Sequence, residues 1–395
     1  MGSTPTPGTT MNIRTFARNI KRSFETHRPL VEVGISRKNL VHNLNVYRKK
    51  YPDLALAPVL KSNAYGHGLI VIAELLDKQD IAFFMVDSYF EARTLRRAFI
   101  HSRILILGYV RPDEIARSKL GDIDYGIIDI EQLREVARIA RKPIRIHLKI
   151  DTGMHRQGIL PKDIDEAISL IKSQPHLQLI GICSHFADAD NVDPKHTTGQ
   201  VKVWNEAAKE LLLQFPSIAY RHIAATKGVA FGDAAHTNVA RVGIGLYGFD
   251  TSPNGSSELK PVLEMRSLIT SLRDVPTGDF VGYNATYIAQ HARKVATVPV
   301  GYFEGLDRRL SNIGSMEVHD KACGLVGRVS MNMSSIDVTD VPDVKQGDEV
   351  IVISRDQNAP NSITQMIRDI EAPNYVETAY ILLAHIPQHL KRVVE

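Results

Sequence analysis

Between residues 55 and 248 the chain alternates between two textures. Short apolar, β-rich runs occupy residues 56–60, 82–86, 104–107, 125–128, 144–150, 179–184, 220–224 and 239–244. Between them lie stretches of mixed polarity with apolar residues at helical spacing, among them 69–78, 131–140, 164–173 and 201–214. A strand-length run that is apolar throughout fits a strand covered on both faces, and parallel neighbours need a crossover such as a helix. Eight such units predict an α/β fold closed into a (β/α)8 TIM-type barrel. An open doubly wound sheet is the alternative, but no Gly-x-Gly-x-x-Gly follows the first run, so the main dinucleotide signal is missing.

After residue 262 the pattern changes. Residues 265–272, 280–281, 295–298, 324–329 and 349–353 read as strands between turn-rich segments, and helical spacing returns only at 361–369 and 376–385. This predicts an N-terminal extension (1–27), a barrel (28–262) and a mainly β C-terminal domain (263–395). The run 31–35 precedes the first barrel unit, which leaves it free to pair with the second domain. Residues 1–10 are small, polar and rich in Pro and Gly, as in a terminal tail. Ile13, Phe16, Ile20 and Phe24 then recur at helical spacing among Arg14, Arg18, Lys21 and Arg22. This reads as a helix packed on the body of the protein, with a transit or membrane-surface helix as the alternative.

Composition narrows the function classes. The 48 basic and 44 acidic residues leave a net charge of +4 with no long run of one sign, so no concentrated stripe for nucleic acid is expected. No run of about 18 apolar residues predicts a membrane span, and the cytoplasm is the default compartment. Cys183 and Cys323 stand far apart in apolar stretches and make neither a metal motif nor a disulfide framework.

In such barrels the reactive groups sit at the C-terminal ends of strands. The first barrel run leads into Lys61. A lysine there points into the barrel mouth and is partly desolvated, which favours a neutral amine able to attack an aldehyde. A lysine that snorkels to solvent is the bland alternative.

The stretch Lys61-Ser62-Asn63-Ala64-Tyr65-Gly66-His67-Gly68 resembles the cofactor-lysine signature of alanine racemases. The family's pattern recurs in order at Asp151-Thr152-Gly153-Met154-His155-Arg156, at Ser184-His185-Phe186-Ala187 and at Arg241-Val242-Gly243-Ile244-Gly245-Leu246-Tyr247-Gly248. It continues at Tyr283-Asn284-Ala285-Thr286-Tyr287, Pro299-Val300-Gly301-Tyr302 and Gly327-Arg328-Val329-Ser330-Met331-Asn332. The resemblance implies a pyridoxal 5'-phosphate enzyme that interconverts L- and D-alanine with two bases, Lys61 and Tyr283, and supplies D-alanine for peptidoglycan. It implies phosphate donors at Tyr65, Thr226, Gly243, Ile244 and Tyr375, His185 against the cofactor ring, and Arg241 facing the pyridine nitrogen. Substrate contacts are implied at Arg156, Tyr302 and the Met331 backbone, and carbamylation at Lys149. An unmodified Lys149 and a satisfied core histidine at 185 stay open as alternatives. Tyr283, Tyr302 and Met331 are implied to reach a partner's site, so a head-to-tail homodimer is expected.

This chain departs from the family at several points. His155 stands where glycine is frequent, Gln157 where leucine or isoleucine is common, and Asn332 where aspartate often follows the methionine. Thr226 follows Ala224-Ala225 where Asn-Ser is usual. The added polarity raises serine or a broad amino-acid range as the alternative substrate. A decarboxylase of the same architecture would need a cysteine in the place of Tyr283, and Cys323 is not in that setting. A non-catalytic pyridoxal-phosphate carrier would resemble the barrel alone.

Overall fold

Each of the eight apolar runs carries a strand, because each is covered by helices outside and by packed side chains inside. In the computed structural model, residues 28–189, 191, 193–249, 258–370 and 375–395 are described; the extension 1–27 and its helical stretch lie outside them. The first strand, β1 (Glu32–Ile35), is followed by the barrel strands β2 (Ala55–Pro58), β3 (Phe84–Val86), β4 (Ile104–Ile106) and β5 (Ile123–Ile127). Then come β6 (Ile144–Lys149), β7 (Leu177–Cys183), β8 (Tyr220–His222) and β9 (Val239–Val242). β3 to β8 form one parallel sheet in sequence order, and β2 pairs with β9 in parallel. Parallel bridges Val59↔Met85 and Ala225↔Arg241 close the circle. Helix Ile164–Ser173 shows why the outer layer docks: Ile164, Ala167, Ile168 and Ile171 form one buried stripe.

Inside the barrel, Ala57, Phe83, Met85, Leu105 and Val239 pack together. Beside them lies a polar chain. His147 and His222 are fully buried with Nδ1 and Nε2 2.8 Å apart. Asp124 Oδ2 lies 3.6 Å from His147 Nε2, and Arg145 Nε donates to Asp124 Oδ1 at 2.6 Å.

The second domain is built on a six-stranded sheet. It joins β10 (Leu263–Leu268), β15 (Ser315–Val318), β16 (Lys321–Gly324), β18 (Glu349–Ile353) and β19 (Lys391–Val394). β1 lies in this sheet, antiparallel to β10 and parallel to β19. A second sheet holds β11 (Ser271–Val275), β14 (Arg293–Val298) and β17 (Ser334–Asp337), and β12 (Phe280–Val281) pairs with β13 (Tyr287–Ile288). Two expectations shift. The run 265–272 breaks at Ile269 and Thr270 and feeds two sheets, and the strand expected at 324–329 ends at Gly324. β15 and β17 escape the pattern because two of four residues in β15 and three of four in β17 are polar. No described helix is long and apolar enough to cross a membrane.

Candidate active site

The turn after β2 carries Lys61. Ser62, Asn63, Ala64 and Tyr65 all adopt left-handed φ values, between 53° and 56°. Such backbone costs roughly 1–2 kcal/mol per non-glycine residue. Hydrogen bonds hold it in place. Ala64 N–H donates to the Leu60 carbonyl at 2.8 Å, Gly68 N–H to the Asn63 carbonyl at 2.9 Å, and Leu69 N–H to Asn63 Oδ1 at 2.9 Å. Buried His67 sets Nδ1 at 3.1 and 3.0 Å from the Ala64 and Tyr65 carbonyls. Burial lowers its pKa to about 3, so the ring is neutral and donates from Nδ1. Gly66 has φ 82°, and a Cβ there would lie 1.9 Å from the Leu383 carbonyl oxygen. The turn lifts Lys61 three residues past the strand end to an exposed rim, so this chain's own walls do not supply the expected desolvation.

Arg241 lies inside β9 and is 2% exposed. Its guanidinium donates to the Ile223 carbonyl at 2.7 Å and to His185 Nδ1 at 2.9 Å. Burial lowers its pKa to about 10, which leaves it charged near neutrality. His185 is pushed down to about 2, by burial first and then by Arg241, Arg156, Lys149 and Lys61. The ring is therefore neutral, with Nδ1 accepting from Arg241. Lys149 ends β6, buried, and its Nζ donates to Gln157 Oε1 at 2.8 Å. Burial and then Arg156, Arg241 and Lys61 hold its pKa below the usual lysine value, while Cys183 opposes them. Four basic side chains thus act on one half-buried histidine.

Arg156 and Gln157 ride on a loop organised by Asp151. Its Oδ1 accepts N–H groups from Gly153, Met154 and His155 at 2.9, 3.1 and 3.1 Å. His155 is exposed, with Nδ1 3.6 Å from Asp151 Oδ2.

At the ends of β8 and β9, Gly243 N–H donates to Thr226 Oγ1 at 3.2 Å. A Cβ on Gly243 would lie 2.8 Å from the Tyr65 hydroxyl, so the absence of a side chain makes room where two hydroxyls and an N–H converge. Ile244 opens the following 3-10 turn. Tyr375 begins helix Tyr375–Ala384; its side chain lies outside the described residues. Neutral donors at this cradle, the Lys61 amine at the rim and the basic Arg241, Arg156 and Lys149 fit pyridoxal phosphate, which brings a phosphate, an aldehyde and a phenolic oxygen.

The site residues fall into two groups. Tyr283, Tyr302 and Met331 are 67%, 41% and 55% exposed on the second domain. Among the described residues, no hydrogen bond or ring contact links them to the Lys61 group. Sequence reasoning did not single out Asp124, His147 and His222; His147 and His222 lie within the runs 144–150 and 220–224, and Asp124 lies just before the run 125–128. It also missed Glu304, which lies in the Gly301–Gly305 turn beside Tyr302.

Family models for the alanine racemase N-terminal and C-terminal domains match residues 35–251 and 262–393. The alanine racemase of Syntrophobacter fumaroxidans is 36% identical over 327 residues, 81% of this chain and 87% of that protein. The solved alanine racemase of Clostridium difficile superposes with a TM-score of 0.84 at 28% identity, covering 94% of this chain and 97% of that one. The alanine racemase of Bacillus anthracis, solved with bound L-Ala-P, gives 0.83 at 26% identity over 93% and 96%. Matched along both of its halves, the chain belongs to the alanine racemase family of pyridoxal-phosphate-dependent isomerases.

Proposed function

We propose that this chain interconverts L- and D-alanine through two bases on opposite faces of the substrate α-carbon, Lys61 and the Tyr283 of a second copy. The observation that carries the reading is the pair of buried Arg241 and half-buried His185, set among basic side chains beside the Gly243, Thr226 and Tyr65 cradle at the barrel mouth. Bound pyridoxal phosphate supplies the electron sink that acidifies the α-C–H bond. Lys61 would hold its aldehyde, and Tyr65, Thr226, Gly243, Ile244 and Tyr375 its phosphate. Arg241 would donate to the pyridine nitrogen and His185 would line the ring.

The residues then divide the proton work. The Lys61 amine removes or returns the α-proton on one face, and the Tyr283 phenol does so on the other. Arg156 and the Met331 N–H hold the substrate carboxylate, and Tyr302 narrows the entrance. Arg241 stays protonated, so it would donate to the cofactor's ring nitrogen without surrendering its proton. That would limit how much charge the bound ring withdraws and so suppress side reactions. The reading includes a cytoplasmic location and the supply of D-alanine for peptidoglycan.

Tyr283 can serve as the second base only in a homodimer. Its exposure among exposed Phe280, Ile288, Ile313 and Met333 supports one. Hydrogen bonds tie these turns together, with Asn312 bridging Thr286 and the Gly327 N–H. The polar departures favour alanine over a wider range, because neighbours engage them: Gln157 by Lys149, Asn332 by Glu304.

The test is incubation in heavy water with L-alanine and, separately, L-serine, L-lysine and L-arginine. Loss of the α-proton with formation of the D-isomer is expected for alanine alone, and Lys61→Ala abolishes both. Comparable turnover of serine or a basic amino acid overturns the alanine assignment. No exchange with any of them overturns the racemase.

A further inference from the structure

We infer that Glu304 and Asn332 form a charge-matched clamp that positions Tyr302 and the Met331 N–H for substrate, and that an amide at 332 is required by the carboxylate at 304. The inference rests on the reading that this surface meets the substrate carboxylate.

Two turns are locked together here. A Cβ on Gly301 would sit 2.2 Å from the Ser330 carbonyl oxygen and 2.4 Å from that of Met331, so the backbones are in direct contact. Tyr302 N–H donates to the Ser330 carbonyl at 3.1 Å, and Phe303 N–H to the Met331 carbonyl at 2.9 Å. Ser330 N–H closes its own turn on the Met333 carbonyl at 3.0 Å. Glu304 spans the join. Its Oε2 accepts the Gly301 N–H at 2.8 Å, and its Oε1 accepts from Asn332 Nδ2 at 2.8 Å. Glu304 is 8% exposed, and among the described residues no ion pair reaches it. Both oxygens are satisfied by neutral donors. The Met331 N–H has no partner among the described residues, which leaves it free for a carboxylate.

The identity of residue 332 follows from this arrangement. Aspartate at 332, an exposed position, would set a second carboxylate beside the buried Glu304 in place of the amide from which Glu304 Oε1 accepts, and the pair would have to take up a proton or part. Parting moves Met331 relative to Tyr302, because only these turns carry them. Glu304 and Asn332 are positioning residues in this account, acting through Tyr302 and Met331.

The experiment compares holoenzyme of wild type, Asn332→Asp, the double variant Glu304→Gln with Asn332→Asp, and Tyr302→Ala. The double variant keeps both bonds with donor and acceptor exchanged. Its amide at position 304 accepts the Gly301 N–H through the oxygen and donates through the nitrogen to the carboxylate at position 332. Thermal melting is followed against pH without substrate, and KM and kcat are measured for L-alanine. In Asn332→Asp the paired carboxyl has a folded pKa raised above its unfolded value of about 4. Its stability is intact at low pH and falls as pH rises through the folded pKa, whereas wild type and the double variant lack this slope. KM at pH 8 is expected to rise about tenfold in Asn332→Asp with kcat little changed, to recover on acidification, and to return near wild type in the double variant. An unchanged KM and flat melting profile in Asn332→Asp overturn the inference, as does a double variant that fails to rescue KM. If Tyr302→Ala raises KM while Asn332→Asp does not, only the clamp fails. If Tyr302→Ala also leaves KM unchanged, the reading of this surface as substrate-facing fails with it.

Discussion

Lys149 is the residue at which the site's charge can change sign. Buried at the end of β6, it faces Arg156, Arg241 and Lys61, which together with burial favour its neutral amine. Only a neutral amine attacks carbon dioxide, forming an N–C bond and releasing a proton. The product is an anion among cations, a better partner for Arg156 than an ammonium. Gln157 now accepts from Nζ at 2.8 Å and, by turning its amide over, donates to a carbamate oxygen instead. Carbamylation is therefore the expected state. Protein equilibrated with 13C-bicarbonate is expected to show a carbamate carbon resonance that Lys149→Ala lacks. Gln157→Leu is expected to weaken occupancy about fivefold, the worth of one hydrogen bond. A spectrum with no such resonance makes Lys149 a cation held by Gln157.

At the scale of the element, the Lys61–Gly68 turn joins Lys61, the proposed cofactor lysine, to Tyr65, a proposed phosphate donor, through left-handed backbone. Gly66→Ala adds a methyl against the Leu383 carbonyl at φ 82°. It is expected to cost about 3 kcal/mol or more and to loosen the cofactor, read by calorimetry and by absorbance of the bound chromophore. Gly324→Ala is the control, since nothing lies within 4 Å of its Cβ position. The eight barrel strands were legible in sequence because burial on both faces writes a continuous apolar run, whereas Lys61, expected to be partly desolvated at the barrel mouth, stands on an exposed rim. The left-handed turn was not legible, because Ser62, Asn63, Ala64 and Tyr65 adopt it under a set of hydrogen bonds within residues 60–69 rather than by preference. β15 and β17 were lost for a related reason: Ser315, Glu317, Ser335 and Asp337 face water to some degree and dilute the signal. The resemblance located Tyr302 and Met331, but the Glu304 clamp between them could be seen only once the two turns were in contact.

At the scale of the whole molecule, the site residues divide between a barrel group around Lys61 and an exposed group around Tyr283. In a head-to-tail dimer each site takes Lys61 from one protomer and Tyr283 from its partner. Lys61→Ala and Tyr283→Phe then disable different halves of the same site. Co-expressed at equal levels and paired at random, half of the dimers contain one of each variant. In such a dimer one site carries both defects and the other carries neither. About a quarter of all sites are therefore intact, and the mixture is expected to regain about a quarter of wild-type racemisation while each variant alone is nearly inactive. Purification through two different tags isolates the mixed dimer, in which the recovered fraction rises to about half. If Lys61 and Tyr283 served one site within one chain, the mixed dimer would hold no intact site and tandem purification would recover no activity. The assay thus separates a site shared between subunits from a dimer whose interface is only structural.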